Sequence, residues 1–299
     1  MPKVSIITLC YNQLENATKP FIESLYKYTD IQQFELIIID NGSCNDTLEY
    51  LNSISYKYKN IVVIRNNENL GYAKGNNQGL KIAQGEYLFL CNNDLLFSPN
   101  WLDKCIKTFE NHKDIGLLSV MTNFCGNPNQ VVKNAKQYNV DNYLQMFSDN
   151  LDNNEIAYQD KIIFFCVGLT RATFETVGYF DENFGYAWFE DDDYSLRCLY
   201  NGYKLAIVKN VFIFHNHSQT SSKLYDTQEG KLLQKNNQKY FEEKHKFYLD
   251  LKRQVYELQE KLNKKWYRLI FSIENKYQNN KKIKYITLFG LKIKIRCKN

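Results

Sequence analysis

Proline is scarce in this 299-residue chain, with 4 residues, and no apolar run approaches the roughly 18 residues that span a bilayer. The second absence argues against an integral helical membrane protein. The eight cysteines (Cys10, Cys44, Cys91, Cys105, Cys125, Cys166, Cys198 and Cys297) contain no C-x-x-C pair. Neither a zinc site nor a disulfide framework is therefore expected. Several close apolar runs, as in SIITLC and YLFLC, and read as small, reduced core residues of a cytosolic protein. No repeat with a period of 20–50 residues is present, and the opening MPKVSIITLCYN lacks the charged, apolar and small-residue order of a secretory leader. There is no G-x-G-x-x-G and no Walker loop, so dinucleotide and ATP readings lose support.

Hydrophobic residues make up 44% of the chain and charged residues 24%, a globular mix that excludes wholesale disorder. The net charge of +5 hides an asymmetry. Residues 231–299 carry 19 Lys and Arg against 6 Asp and Glu, while the preceding 230 residues carry 19 against 27. An acidic body with a basic tail suggests a surface-binding extension, or a solvated helix face.

Short apolar runs alternate with helical patterns through the first third. VSIITLC (4–10), FELIIID (34–40), NIVVIRN (60–66) and EYLFLC (86–91) read as strands, with helices around 21–26, at Leu48 and Leu51, and near 75–83. This predicts βαβ units and a largely parallel sheet covered on both faces. In such sheets ligands bind at the carboxyl ends of strands. Tyr11-Asn12, Asp40-Asn41-Gly42-Ser43 and Asn92-Asn93-Asp94 stand at those ends. Further on, KIIFFCVG (161–168) reads as a strand, 171–177 as a short helix, and 205–217 as extended chain. Residues from about 229 are helical, and KYITLFGLKIKIR (284–296) is extended.

Four constellations carry chemistry. Asp40 can accept from a pyrimidine N3–H, or cap the turn amides of Gly42 and Ser43. Asp94, flanked by Asn92 and Asn93, suits a hard divalent cation bridging a diphosphate, or forms a polar turn. Glu190-Asp191-Asp192-Asp193 follows an aromatic approach of Phe184, Tyr186, Trp188 and Phe189. A helix N-terminus offsets part of the mutual repulsion, roughly 0.3–1 kcal/mol per charge, and Asp193 can pair with Arg197 one turn on. An aromatic wall beside a carboxylate also suits a sugar acceptor and its general base. His215 and His217 end the extended segment, where an imidazole could be a second metal ligand.

Taken in order, VSIITLCYN, IIIDNGS, NENLGYAKGNNQG, LFLCNND, VGYFDENFGYAWFEDDDYSLR and FHNHSQT resemble the family 2 glycosyltransferases, particularly rhamnosyltransferase-like members, over about residues 3–245. The resemblance implies an α/β GT-A fold, an inverting mechanism and a nucleotide-diphosphate sugar donor (a UDP- or dTDP-sugar). It implies a catalytic domain over 1–228, with a nucleotide-binding part to about 97 and an acceptor-binding part from about 98, then a basic extension over 229–299. Thr8, Tyr11, Asp40, Asn69, Gly75, Asn92 and Asn93 match donor-binding positions. Asp94 and His215 match ligands of Mg²⁺ or Mn²⁺, with His217 the alternative histidine. Asp191 matches the catalytic base, and Trp188, Glu190 and Asp192 surround the acceptor. Only one residue of the family's D-x-D position is acidic here, and Asp192 adds a further candidate base.

The acceptor class this implies is a glycan or lipid-linked glycan of surface polysaccharide, lipopolysaccharide or capsule assembly, handled at the inner face of the cytoplasmic membrane. Two alternatives stay open: a sugar-phosphate nucleotidyltransferase, and a non-enzymatic carbohydrate- or nucleic-acid-binding protein. The acidic body argues against nucleic acid. In the tail, Phe241, Phe247, Leu251, Val255, Leu258, Leu262, Trp266, Leu269 and Ile270 recur at helical steps in places among Lys and Arg. That pattern suits an anionic membrane surface, or packing on the catalytic domain or a second subunit in a homodimer.

Overall fold

The computed structural model describes residues 2–132, 155–216, 227–278, 281–288 and 291–296, and side chains only as far as Leu262. The chain divides into two compact units, Met1–Gln238 and Lys239–Asn299. His217, Ser218, Thr220, Cys297 and most of the Asn-rich segment after Gly126 lie outside the described residues.

In the first unit, β1 (Val4–Cys10), α1 (Lys19–Tyr28), β2 (Phe34–Asp40), α2 (Asn45–Lys57), β3 (Ile61–Arg65), α3 (Tyr72–Ile82) and β4 (Tyr87–Asn92) alternate as the apolar runs predict. There follow β5 (Leu95–Leu96), α4 (Trp101–Asn111), β6 (Ile115–Met121), β7 (Ile156–Gln159), β8 (Cys166–Thr170), α5 (Arg171–Val177), α6 (Glu190–Tyr200), β9 (Lys204–Phe212) and β10 (Phe214–His215). The central sheet has the order β3-β2-β1-β4-β8-β6-β9-β7. Its first four strands are parallel, β6 and β9 are parallel, and β8 and β7 run antiparallel to their neighbours.

The central strands β1, β2 and β4 are mostly apolar because each side of the sheet has its own core. Val4, Ile6, Leu36 and Ile38 pack with Phe21, Leu25, Leu51 and Trp101 on one face. The alternating residues Ile7, Ile37 and Ile39 pack with Ala73, Leu80, Phe174 and Tyr194 on the other. The period of two thus feeds two helical layers. The four-residue glycine spacing in α3 belongs to this packing. A Cβ at Gly75 would lie 2.7 Å from Leu9 Cδ2, and one at Gly79 would overlap Ile7 Cγ2, so α3 approaches β1 more closely than any side chain permits.

One strand begins later than its sequence suggests. Lys161–Phe165 is unladdered although Ile162, Phe164 and Phe165 are buried, and β8 starts only at Cys166. The fully buried Gln130 takes the place of a neighbouring strand: its Oε1 accepts from Ile163 N at 2.9 Å and its Nε2 donates to Ile163 O at 3.3 Å. The cysteines behave as expected in part. Cys10, Cys91, Cys105, Cys166 and Cys198 are buried free thiols, whereas Cys44 is exposed.

Helix α7 (Gln228–Lys244) begins in the first unit, and α8 (Lys246–Ile270) lies in the second. The predicted extended piece over 284–296 forms two strands. β12 (Lys281–Leu288) pairs antiparallel with β11 (Phe271–Gln278) and with β13 (Leu291–Arg296). Among the described residues, no helix is long and apolar enough to cross a membrane.

Candidate active site

Strands β1 and β4 are adjacent and parallel, while the chain leaves them toward opposite flanks of the sheet: β2 lies beyond β1, and β8 beyond β4. This is a topological switch point, where an open α/β sheet leaves a crevice at its carboxyl edge. A cavity of about 600 Å³ opens there, within the usual range of small-molecule sites. Tyr11, Asn69, Asn92, Asn93, Asp94, Trp188, Glu190, Asp191, Asp192 and His215 all line it.

Asp94 and His215 meet because β10 pairs antiparallel with β5, setting His215 opposite Leu95. His215 Nε2 lies 3.2 Å from Asp94 Oδ1, and both side chains are nearly buried. The ring is held from several sides. Its Nδ1 lies 3.0 Å from Phe124 O, a carbonyl that can only accept, so Nδ1 carries the proton. Phe165 stacks on the ring at 5.6 Å. The Asn123 amide bonds both the N–H and the C=O of His215, at 2.7 and 3.0 Å. Burial disfavours the imidazolium, but the Asp94 bond and charge, with the Phe124 carbonyl, outweigh it and raise the pKa from the ordinary 6.5.

This pair fits a hard divalent cation. With Nδ1–H donating to the Phe124 carbonyl, Nε2 is the ring atom that shares a proton with the Asp94 carboxylate, and a cation bound there would take that proton's place. A backbone carbonyl behind the ring is the usual orienting partner of a metal-binding histidine. Among the described residues, no cluster of three or more His, Cys, Asp or Glu side chains is placed to hold a metal. Any cation here would take its remaining ligands from water and diphosphate, as Mg²⁺ commonly does.

The acid run opens α6, preceded by two non-glycine residues in the left-handed region, Trp188 (φ 72°) and Phe189 (φ 74°). Such conformations cost on the order of 1–3 kcal/mol each and persist only when their surroundings hold them. The four acids then take separate roles. Asp193 is fully buried and pairs with Arg197 Nε at 2.8 Å, while Arg197 Nη1 donates to Val177 O. Asp192 pairs with Lys161 Nζ at 2.6 Å on the cavity wall. Asp191 Oδ1 accepts from the Asp192 amide at 2.9 Å. Burial and the Asp192 charge raise the Asp191 pKa from 3.8 to about 6, against the opposing charge of Lys161. Glu190 leaves a buried Oε2 with no hydrogen-bond partner. Burial, then the charge of Asp191, pushes its pKa up to about 8. A neutral Glu190 beside a titratable Asp191 is the pattern of a tuned acid–base site.

Three residues anticipated at the donor wall stand behind it. Thr8 and Asp40 are fully buried, and Gly75 faces Leu9 and Asn41. Asp40 Oδ1 caps Ser43 N at 2.8 Å, while its Oδ2 takes no hydrogen bond and lies 4.0 Å from Arg65 Nη1. Asn69 Oδ1 instead accepts from Gly71 N at 2.9 Å, shaping the turn into α3. Gly71 (φ 80°) is the glycine that conformation requires, and a Cβ there would stand 2.7 Å from Tyr186 Cα. Donor-side and acceptor-side loops therefore touch, with Tyr72 N donating to Tyr186 O at 3.1 Å. Lys161, Phe124, Phe165 and Gln234 also line the cavity without having been anticipated.

The family model described as Glycosyl transferase family 2 matches residues 5–172. An uncharacterized glycosyltransferase of Methanocaldococcus jannaschii is 25% identical over 226 residues, 71% of this chain and 70% of that protein. A poly(ribitol-phosphate) beta-glucosyltransferase of Bacillus spizizenii is 35% identical over 118 residues, 38% of this chain but only 18% of the relative. Among solved structures, GalNAc-T7 with UDP, GalNAc and Mn²⁺ is similar at a TM-score of 0.59 and 15% identity, covering 71% of this chain and 43% of that one.

Proposed function

We propose, from the premise that the chain belongs to glycosyl transferase family 2 and has a GT-A fold, that it transfers a sugar from a UDP- or dTDP-sugar to a glycan hydroxyl with inversion. The observation that carries this reading is one cavity lined both by the Asp94–His215 pair and by a carboxylate of raised pKa, Asp191. The nucleotide lies along Tyr11 and Asn69, with Asp40 behind that wall, and the diphosphate lies at Asn92, Asn93 and Asp94.

Asp191 accepts the acceptor's hydroxyl proton as that oxygen bonds to the anomeric carbon. The bond from that carbon to the diphosphate oxygen breaks on the opposite face, and the electron pair leaves with the nucleoside diphosphate. Protonated Glu190 adds no second negative charge beside the base at neutral pH. Lys161 holds Asp192 away from the reacting oxygen, and Trp188 offers a face to the acceptor sugar. A divalent cation (Mg²⁺ or Mn²⁺) bound by Asp94 and His215 would neutralise charge on the leaving diphosphate. GalNAc-T7 was solved with UDP and Mn²⁺, and a mannosyltransferase of Pyrobaculum calidifontis with GDP-Man and Mn²⁺, which supports a nucleotide-sugar donor and a divalent metal.

The acceptor is a cell-surface polymer or its lipid-linked precursor, a reading supported by the poly(ribitol-phosphate) relative. The second unit fits work at the cytoplasmic membrane face. Along α8, Leu251, Val255, Leu258 and Leu262 are 45–57% exposed at steps of four, three and four, bordered by Lys252 and Lys261. With the basic surplus of residues 231–299, this stripe suits an anionic lipid surface. The nucleotidyltransferase and binding-protein alternatives gain nothing from the family match. A thermal-shift panel of nucleotide sugars with and without Mn²⁺, followed by nucleoside diphosphate release with the donor it selects, tests the proposal. Stabilisation by no nucleotide sugar would contradict it.

A further inference from the structure

The loop that delivers the acid run is held by a residue far along the chain. Within Phe184–Phe189, Gly185, Trp188 and Phe189 all have positive φ, so the loop's carbonyls turn out of any regular ladder. Three of them converge on one side chain. Asn237 Nδ2 donates to Phe184 O at 2.6 Å, Ala187 O at 2.8 Å and Trp188 O at 3.1 Å. Two N–H bonds are thus shared among three acceptors.

Asn237 is 4% exposed, just past the middle of α7, within the same compact unit as the loop. Its helix face is given over to the site. Gly230 is buried, Leu233 approaches Gly185, and Gln234 lines the cavity, whereas Asn236 next door is exposed. Nothing else about the α7 sequence, rich in Lys, Gln and Asn, requires a buried amide. A buried polar side chain satisfied by three loop carbonyls makes physical sense only if that loop conformation is required.

We infer that Asn237 is a positioning residue: its amide locks the left-handed Trp188–Phe189 turn and thereby aims Asp191 into the cavity. The catalytic part of this inference rests on the reading of Asp191 as the base, whereas the structural part does not. Asn237→Asp keeps the size and removes the donor, leaving a carboxylate among three carbonyls. Asn237→Gln keeps the amide one methylene out of register, and serves if the first variant does not fold.

The test uses the full chain with two readouts. Hydrogen exchange by mass spectrometry should quicken at least tenfold over residues 181–193 in a folded Asn237→Asp variant, with β1 and β4 unchanged. With UDP-glucose and Mn²⁺ as probe, the turnover number for hydrolysis should fall at least tenfold while the donor KM moves less than about threefold. Unaltered loop exchange in both folded variants would overturn the inference. Faster exchange in a protein whose wild type consumes no UDP-glucose would sustain the clamp and count against that donor. Faster exchange with undiminished turnover would overturn the claim that Asn237 aims the base.

Discussion

Replacing Asp191 with asparagine should make the protein more stable and nearly inactive at once. In the folded chain, burial and the neighbouring Asp192 hold the Asp191 pKa at about 6, against an ordinary 3.8. One pKa unit corresponds to about 1.4 kcal/mol, so ionised Asp191 costs the fold about 3 kcal/mol at most. Its position on a cavity wall, with Lys161 nearby, reduces the expected gain in Asp191→Asn to roughly 1–3 kcal/mol. The sign follows from linkage. Below the unfolded pKa both states hold the proton, and the substitution changes little. As pH rises from about 4 to about 6 the folded state retains a proton the unfolded state has lost, and wild-type stability falls. Above about 6 the penalty is complete. Asparagine keeps an oxygen to accept from the Asp192 amide, so the local geometry has no reason to change. Thermal melts of both proteins from pH 4 to pH 8 should show a gap near zero at the acid end. At pH 7 the gap should reach roughly 2–12 °C in favour of the variant, taking about 2–4 °C per kcal/mol for a unit of this size. Glycosyl transfer by the variant should fall by about 10²–10⁴, the usual worth of a general base. A variant less stable than wild type at pH 7, or a gap independent of pH, would refute the reasoning.

Gly71→Ala should cost about 2–4 kcal/mol in urea denaturation, because φ is +80° and the new Cβ meets Tyr186 Cα at 2.7 Å. Gly202→Ala, also at φ +80° but with nothing within 4 Å, should cost only about 1–2 kcal/mol. Asp94→Ala and His215→Ala should each lower the melting temperature of the free protein and abolish the further stabilisation that Mn²⁺ plus UDP gives the wild type. Full wild-type transfer activity in EDTA would count against the metal. Sedimentation with anionic vesicles should carry down the intact chain at low salt and lose it at high salt or after Lys252→Glu with Lys261→Glu. Binding equal to that with neutral vesicles would leave the α8 stripe to a second copy or another partner.

Most of the parallel half of the sheet was legible because β1, β2 and β4 are buried on both faces, which favours apolar residues along nearly the whole strand. VSIITLC and FELIIID match β1 and β2 residue for residue. Ile162–Phe165 misled for the same reason: burial makes a segment apolar whether its backbone pairs with a strand or with the Gln130 side chain. At the site, the residue types and their order pointed to Asp94, His215 and the acid run, and of these Asp94, His215, Glu190, Asp191 and Asp192 line one cavity. The means of bringing them together were not readable. The two-residue β5–β10 ladder that joins Asp94 to His215 is too short to leave a periodic signal. Asn237 cannot be told from exposed Asn236 in a run of Lys, Gln and Asn, because only the folded loop supplies its three carbonyls. Lys161 was hidden at the head of an apolar run, where charge reads as a strand end rather than a partner for Asp192.

The central claim is that Asp191 deprotonates an acceptor that displaces a nucleoside diphosphate from the opposite face of the sugar. It is tested most directly by proton NMR of the reaction with the donor the thermal-shift panel selects, comparing wild type with Asp191→Asn. The account predicts a first-formed product of inverted anomeric configuration, at a rate rising with pH through about 6, and its loss in the variant. A retained configuration, or transfer by Asp191→Asn at the wild-type rate, would contradict it.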